Sequence, residues 1–217
     1  MGPTLMWWKK SEEELSRGGG GETQFRRLAV QLHHDLGLET NSRSVLLVTP
    51  SARNEESCSN GGLALAKCLG DDLGRPVLLV DLSSANTVLS RRLDCEQRPG
   101  FIDGLLQEPL KLDDLVLATS SERVFFLPAG QGEGRVPLEV LPRFLESALH
   151  DFGFLVLFGG SVFDNPTALA IAPHVGMVLL FAEDNQTLLR EIELATETLN
   201  TCTARRVGMV LTTDSKP

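Results

Sequence analysis

No lysine occurs between Lys10 and Lys67 in this 217-residue chain, and no tyrosine occurs anywhere. The missing lysine falls on Ser44 to Leu69, which otherwise has the outline of a phosphate-binding loop: an apolar run, a turn of small and polar residues, then helical spacing. A working loop of that kind wraps phosphates in glycine amides and holds them, with Mg²⁺, through a Lys-Ser/Thr pair. Cysteine is scarce too. Cys58, Cys68, Cys95 and Cys202 fall into no CxxC or Cys/His spacing, which favours reduced, buried or incidental thiols over a zinc site or disulfide framework and points to the cytoplasm. No apolar run approaches the roughly 18 residues that span a bilayer, and the N-terminus lacks the apolar core of a signal peptide. A soluble domain is the expectation. A formal charge of −9 argues against broad attraction to nucleic acid or an anionic membrane.

What is present is enough apolar material, 42% of the chain, for one domain with a substantial core. Residues 1–21 lack a sustained period and end in four glycines, the composition of a flexible arm; the globular domain is expected over residues 22–217. Phe25, Leu28, Ala29, Leu32 and Leu36 recur at helical spacing. Apolar runs follow at Val45–Val48, Val77–Val80, Val124–Leu127, Phe154–Phe158, Gly176–Phe181 and Val207–Leu211, and helices are predicted over Gly61–Leu73, Leu138–His150 and Gln186–Leu199. Strands alternating with helices, and apolar without alternation, predict a three-layer α/β/α fold with a mostly parallel sheet buried on both faces. Ligands of such sheets bind beyond the carboxyl ends of the strands, which directs attention to the residues after Val48, Val80 and Phe158.

The turn after the first strand reads Arg53-Asn54-Glu55-Glu56-Ser57-Cys58. Two carboxylates stand where anionic oxygens would enter. Each such like-charge contact costs on the order of 4 kcal/mol at ~4 Å and an effective dielectric of ~20, against about 8 kcal/mol in total for a micromolar ligand. Ordinary ATP binding is not expected there. Ser57, Cys58 and Ser59 equally suit an N-cap of the following helix, and Asp81 suits a cap of the turn after its strand. Gly130, Gly132 and Gly134 lack the dinucleotide fingerprint and read as a mobile surface loop. Ser161 follows Gly159-Gly160 without the G-x-S-x-G elbow, and His33-His34 point apart on their helix, unlike a metal pair.

In order and spacing, QFRRLAVQL, VLLVTPS, GGLALAKCLGDDLGRPVLLVD, PGFIDGLL, FLPAG and VGMVL resemble the cytoplasmic kinase domain of the bacterial tyrosine kinases of polysaccharide export, relatives of the MinD/ParA group of P-loop ATPases. The likeness covers Thr23 to Leu211. In that family the loop ends Gly-Lys-Ser/Thr-Thr, where this chain has Glu56-Ser57-Cys58-Ser59; Val-Asp-x-Asp-x-Arg stands where this chain has Val80-Asp81-Leu82-Ser83-Ser84-Ala85; and the third acidic motif ends its strand in an Asp where this chain has Phe158. The family's tyrosine-rich tail has no counterpart. Of its N-terminal helix motif, Arg26 is retained, while Thr23 and Ala29 replace the other positions.

The resemblance therefore implies a P-loop NTPase-like domain that has lost phosphoryl transfer, a chemistry that rests on lysine, Mg²⁺ and its carboxylate holders. Thr49, Glu56, Ser57, Cys58, Asp81, Ser83 and Phe158 are the vestigial nucleotide-site positions; no catalytic residue, cofactor or metal is expected. The implied role is a scaffold or regulator in capsule or exopolysaccharide biosynthesis. It would work in the cytoplasm, or peripherally at the inner membrane through a partner, which would be a membrane polysaccharide co-polymerase or an active kinase paralogue. Trp7, Trp8 and Arg26 are the candidate partner-binding residues. The alternatives are an ATPase or tyrosine kinase with a rebuilt site, and a MinD/ParA-like positioning factor.

Overall fold

The computed structural model describes residues 21–36, 42–83, 87–106, 112, 114–132 and 136–213. Trp7 and Trp8 lie outside them. Helix α1 (Gly21–Leu36) leads into β1 (Ser44–Thr49), a 3-10 turn (Ala52–Asn54) and the long α2 (Glu55–Leu73). Strand β2 (Val77–Asp81) is followed by the short α3 (Val88–Arg92) and α4 (Phe101–Leu105), then β3 (Leu117–Ala118) and β4 (Val124–Leu127). Three further units complete the domain: α5 (Leu141–Asp151) and β5 (Phe154–Ser161), α6 (Pro166–Ile171) and β6 (Met177–Glu183), and α7 (Leu189–Thr201) and β7 (Val207–Thr212).

The seven strands make one sheet in the order β3-β4-β2-β5-β1-β6-β7, parallel throughout except for β3 against β4. The alternation of side chains across each strand divides the core in two. Val45, Leu47, Val77, Leu79, Phe154 and Val156 face α1 and α2, whose Ala29, Leu32, Leu36, Leu63 and Leu69 cover them. Leu46, Val48, Leu78, Val80, Leu155 and Leu157 face the other way, beneath Phe144 and Leu145 of α5, Ile171 of α6, and Ala195 and Leu199 of α7. Burial on both faces explains why these strands read as unbroken apolar runs. Among the described residues no helix is long and apolar enough to cross a membrane.

Several boundaries differ from the sequence reading, and two of them bear on the site. Helix α2 begins at Glu55 rather than Gly61: its first turn is polar and shows no apolar period, but Glu55 and Glu56 complement the positive end of the helix dipole. Strand β5 continues past Phe158 through Gly159-Gly160 to Ser161. A register shift against β1 falls there, Leu47 pairing with Phe158 and Val48 with Gly160, so Gly159 is the extra residue of a bulge.

Candidate functional site

Because β1 lies between β5 and β6, and β2 lies on the far side of β5, the chain order reverses at β1. The carboxyl ends of β1, β5 and β2 therefore border the crevice where sheets of this kind hold ligands. Thr49 and Asp81 end β1 and β2, Ser83 follows β2, Phe158 lies in β5, and Ser57 and Cys58 lie in the first turn of α2; each is engaged by the protein itself.

After β1 the chain turns tightly. Thr49 Oγ1 donates to the Ser51 carbonyl at 2.9 Å, and Ser51 Oγ caps the 3-10 turn. Arg53 swings outward to Glu191 on α7, Nη2 to Oε1 at 2.5 Å. Asn54 then stands at the N-cap of α2 without a side-chain capping bond. Here the reading of Ser57 to Ser59 as caps is corrected: all three lie inside the first turns of the helix. Ser59 Oγ bonds back to the Glu56 carbonyl at 2.8 Å, Ser57 Oγ meets Thr212 Oγ1 at the end of β7 at 3.0 Å, and Cys58 is wholly buried. Burial, reinforced by the charge of Glu55, raises the Cys58 thiol well above its ordinary range, so it stands as a protonated core thiol and not as a nucleophile.

The two glutamates part company. Glu56 points to solvent, 3.9 Å from Arg92. Glu55 is buried, 4% exposed, and its Oε1 accepts a 2.9 Å hydrogen bond from the Ser161 amide at the tip of β5. The bulge makes room for it. Gly160 has φ +63°, and a Cβ there would sit 2.9 Å from Glu55 Oε1, so only glycine satisfies both the backbone and the carboxylate. A negative side chain thus occupies the amino end of α2, the place where helix dipole and free amides make an anion site.

Asp81 ends β2 fully buried. Its Oδ1 accepts from the amide of Ser83 at 3.0 Å and from the Ser83 hydroxyl; Oδ2 accepts from the amide and hydroxyl of Ser90 on α3 at 2.8 and 2.6 Å. The Ser90 hydroxyl in turn accepts the Ala129 amide at 2.9 Å. Burial lifts the Asp81 carboxyl above its usual range, and the four hydrogen bonds partly offset the lift. The capping role read from the sequence is therefore present at Ser83 and extends to α3 and the loop after β4. Phe158 pairs with Asp81 in register and buries its ring in the core beneath α2.

Arg26 lies away from the crevice, 3.7 Å from Asp72 across the α1–α2 contact. Gly130, read as part of a mobile loop, instead abuts Asp103, whose carboxylate accepts the Gly100 and Gln131 amides at 2.8 and 2.9 Å. The sequence reading left out two polar residues that build the site, Ser90 and Asn165, and weighed Ser161 only as a nucleophile. Asn165 caps α6 and donates to the Gly159 and Leu82 carbonyls at 2.8 and 3.1 Å, fixing β5 against the turn after β2. Asn165-Pro166 was a usable signal, being an N-cap followed by proline at the first helical position.

The only lysine among the described residues is Lys67, twelve positions along α2 from Glu55, or about 18 Å of helix. Positive charge comes from arginine: a cavity of about 430 Å³ beside the α2 amino end is lined by Arg53, Glu55, Glu56, Val88, Arg91 and Arg92. No group of three or more potential metal ligands occurs among the described residues.

No family model and no curated protein matches the chain. Solved structures do. The kinase domain of Escherichia coli tyrosine kinase ETK superposes with a TM-score of 0.75 at 16% identity, over 90% of this chain and 77% of that one. The VpsO kinase domain gives 0.74 at 20% identity, over 93% and 98%. This chain has the fold of a bacterial tyrosine kinase domain. It shares that fold with the MinD/ParA-type ATPases as well: MinD complexed with Mg-ADP from Pyrococcus horikoshii matches with a TM-score of 0.59 at 20% identity, over 78% and 70%.

Proposed function

We propose that this chain is a catalytically inactive, tyrosine-kinase-like P-loop protein that acts as a scaffold or regulator in bacterial capsule or exopolysaccharide synthesis and export. The observation that carries the reading is the Glu55 carboxylate bonded to the Ser161 amide at the amino end of α2. A phosphate entering there meets a buried carboxylate, with the only lysine of the described residues, Lys67, about 18 Å along the helix and with Asp81 already committed to four donors. Repulsion on the order of 4 kcal/mol per contact consumes half of what a micromolar nucleotide has. The polysaccharide setting rests on the motif order that resembles the export kinases, and on a fold shared with tyrosine kinase domains. In that setting the chain docks on a membrane polysaccharide co-polymerase or on an active kinase paralogue, from the cytoplasmic side and without transferring phosphate.

Calorimetric titration with ATP and ADP, with and without Mg²⁺ and up to millimolar ligand, tests the inactive reading. The expected result is no heat and no thermal stabilisation; Mg²⁺-dependent micromolar binding overturns it. A second reading, an ATPase or kinase with a rebuilt site, draws on one observation, the convergence of Arg53, Arg91 and Arg92 on the cavity. Nucleotide binding abolished by Arg91→Ala with Arg92→Ala would decide for it.

A further inference from the structure

The two edges of the sheet are finished differently. At one, β3 is two residues long and antiparallel to its neighbour, a short edge of the kind that discourages further pairing. At the other, β7 runs through Val207–Thr212 with no charged residue, no proline and no register shift against β6. Its pairing with β6 sets where its backbone points. The Arg206 and Thr212 carbonyls accept the Val178 and Asp184 amides at 2.8 Å each, so the even-numbered residues of β7 turn their polar groups toward β6. Val207, Met209 and Leu211 therefore turn theirs outward, and no strand pairs with that side among the described residues. The side chains of these three residues stand on the face opposite Val210, which packs into the core beneath α1 and α2, and Met209 and Leu211 are 60% and 56% exposed. One row of residues carries both the unpaired ladder groups and the uncovered apolar surface.

We infer that this edge pairs with the β7 of a second copy, antiparallel and about a two-fold axis at Met209, so that one sheet runs through the dimer. The register follows from the row. Antiparallel partners must offer each other the same face and outward-pointing groups, so odd-numbered residues meet odd-numbered ones. Centring on Met209 sets it against the partner's Met209, and Val207 against the partner's Leu211, so all three outward residues exchange amide and carbonyl bonds and the opposed side chains of the row are all apolar. Such an interface is self-complementary and closes at two subunits. Charge favours a second copy in this sense. Arg205 and Arg206, both exposed, precede β7, while its carboxyl end lies beside Glu183 and Asp184 at the end of β6; antiparallel pairing sets each basic end against the partner's acidic one, and parallel pairing would set like against like. The net charge of −9 opposes association, but charges beyond a Debye length of roughly 8 Å are largely screened at physiological salt. One strand pair is a small interface, below about 1,200 Å² in total, and a reversible dimer that dissociates at micromolar concentration or above is expected. The inference rests on the sheet edge alone and is independent of the inactive reading of the crevice.

Sedimentation equilibrium of the full chain tests it. The expected mass rises from the 23.6 kDa of one chain toward twice that as concentration climbs to millimolar. Met209→Pro removes a donor that points away from β6, and should weaken association by about tenfold or more while leaving the β6 ladder and the thermal midpoint in place. Should that variant lose its fold, Met209→Lys, which sets like charges directly opposite each other at an exposed position, makes the same test. Leu138→Lys, at an exposed apolar site away from β7, should leave association unchanged. Orientation is read by cross-linking on a Cys202→Ser background, which removes the only described cysteine that is not buried. Met209→Cys should form an intermolecular disulfide, because directly opposed residues of this type lie about 5.5 Å apart, and Leu211→Cys, opposite the partner's Val207, should not. A chain that stays monomeric to millimolar concentration, a dimer that survives both Met209→Pro and Met209→Lys, or cross-linking at Leu211→Cys in preference to Met209→Cys overturns the proposal.

Discussion

Two buried carboxylates, Asp81 at the end of β2 and Glu55 at the start of α2, are held in opposite ways. Asp81 is satisfied mostly from nearby in sequence, by Ser83 two residues on and Ser90 nine residues on. Glu55 reaches 106 residues along the chain to Ser161. The first organises the turn that follows its own strand; the second fastens β5 to the helix after β1 and closes the crevice between them. One carboxylate serves local structure; the other stands at the amino end of α2, where the helix dipole favours a negative group.

The comparison breaks most visibly at Asp81. Asp81→Ala leaves two backbone amides and two hydroxyls without their acceptor, and a loss of about 4 kcal/mol is expected at roughly 1–3 kcal/mol for each orphaned buried donor, read by urea unfolding. Glu55→Ala orphans the Ser161 amide and should cost about 2 kcal/mol, with Glu55→Gln, which keeps an acceptor, costing less than half as much. Gly160→Ala should cost a further 1–2 kcal/mol, roughly, for the left-handed backbone and the carboxylate contact. Combined with Glu55→Ala it should lose only the backbone part, and strict additivity would show that Gly160 and Glu55 are not coupled.

The smallest effect concerns pH. The native pKa of Asp81 is raised above its ordinary 3.8, so its contribution is fully present below that value and is lost as pH rises through the native pKa. The stability of the native chain relative to Asp81→Asn should therefore grow as pH falls from 7 toward 4. A difference that shrinks on acidification would mean that the four hydrogen bonds outweigh burial.

The local half of this comparison was legible in the sequence and the distant half was not. A strand-ending aspartate followed by serines announces a cap, and the apolar runs located six of the seven strands; β3, two residues long, carries no period to detect. Glu55 read only as a charge that repels phosphate, because nothing in a one-dimensional pattern says that Ser161 will present an amide to it. Gly159-Gly160 looked like the end of a strand, yet here glycine extends the strand by permitting a bulge. The turns that place Arg91 and Arg92 beside α2 likewise depend on α3, a five-residue helix too short to show periodicity.

The strand order has a consequence for how the molecule is made. Ser44 of β1 pairs with Leu155 of β5, and β1's other neighbour, β6, comes later still. At ribosomal speeds of roughly 5–20 residues per second, β1 emerges some 5 to 20 seconds before its first partner, apolar on both faces and unpaired. Non-local parallel pairing is also intrinsically slow. The bond between Glu55 and Ser161 closes only after that wait, so the centre of the sheet forms late, and until then β1 is exposed apolar surface of the kind that favours aggregation.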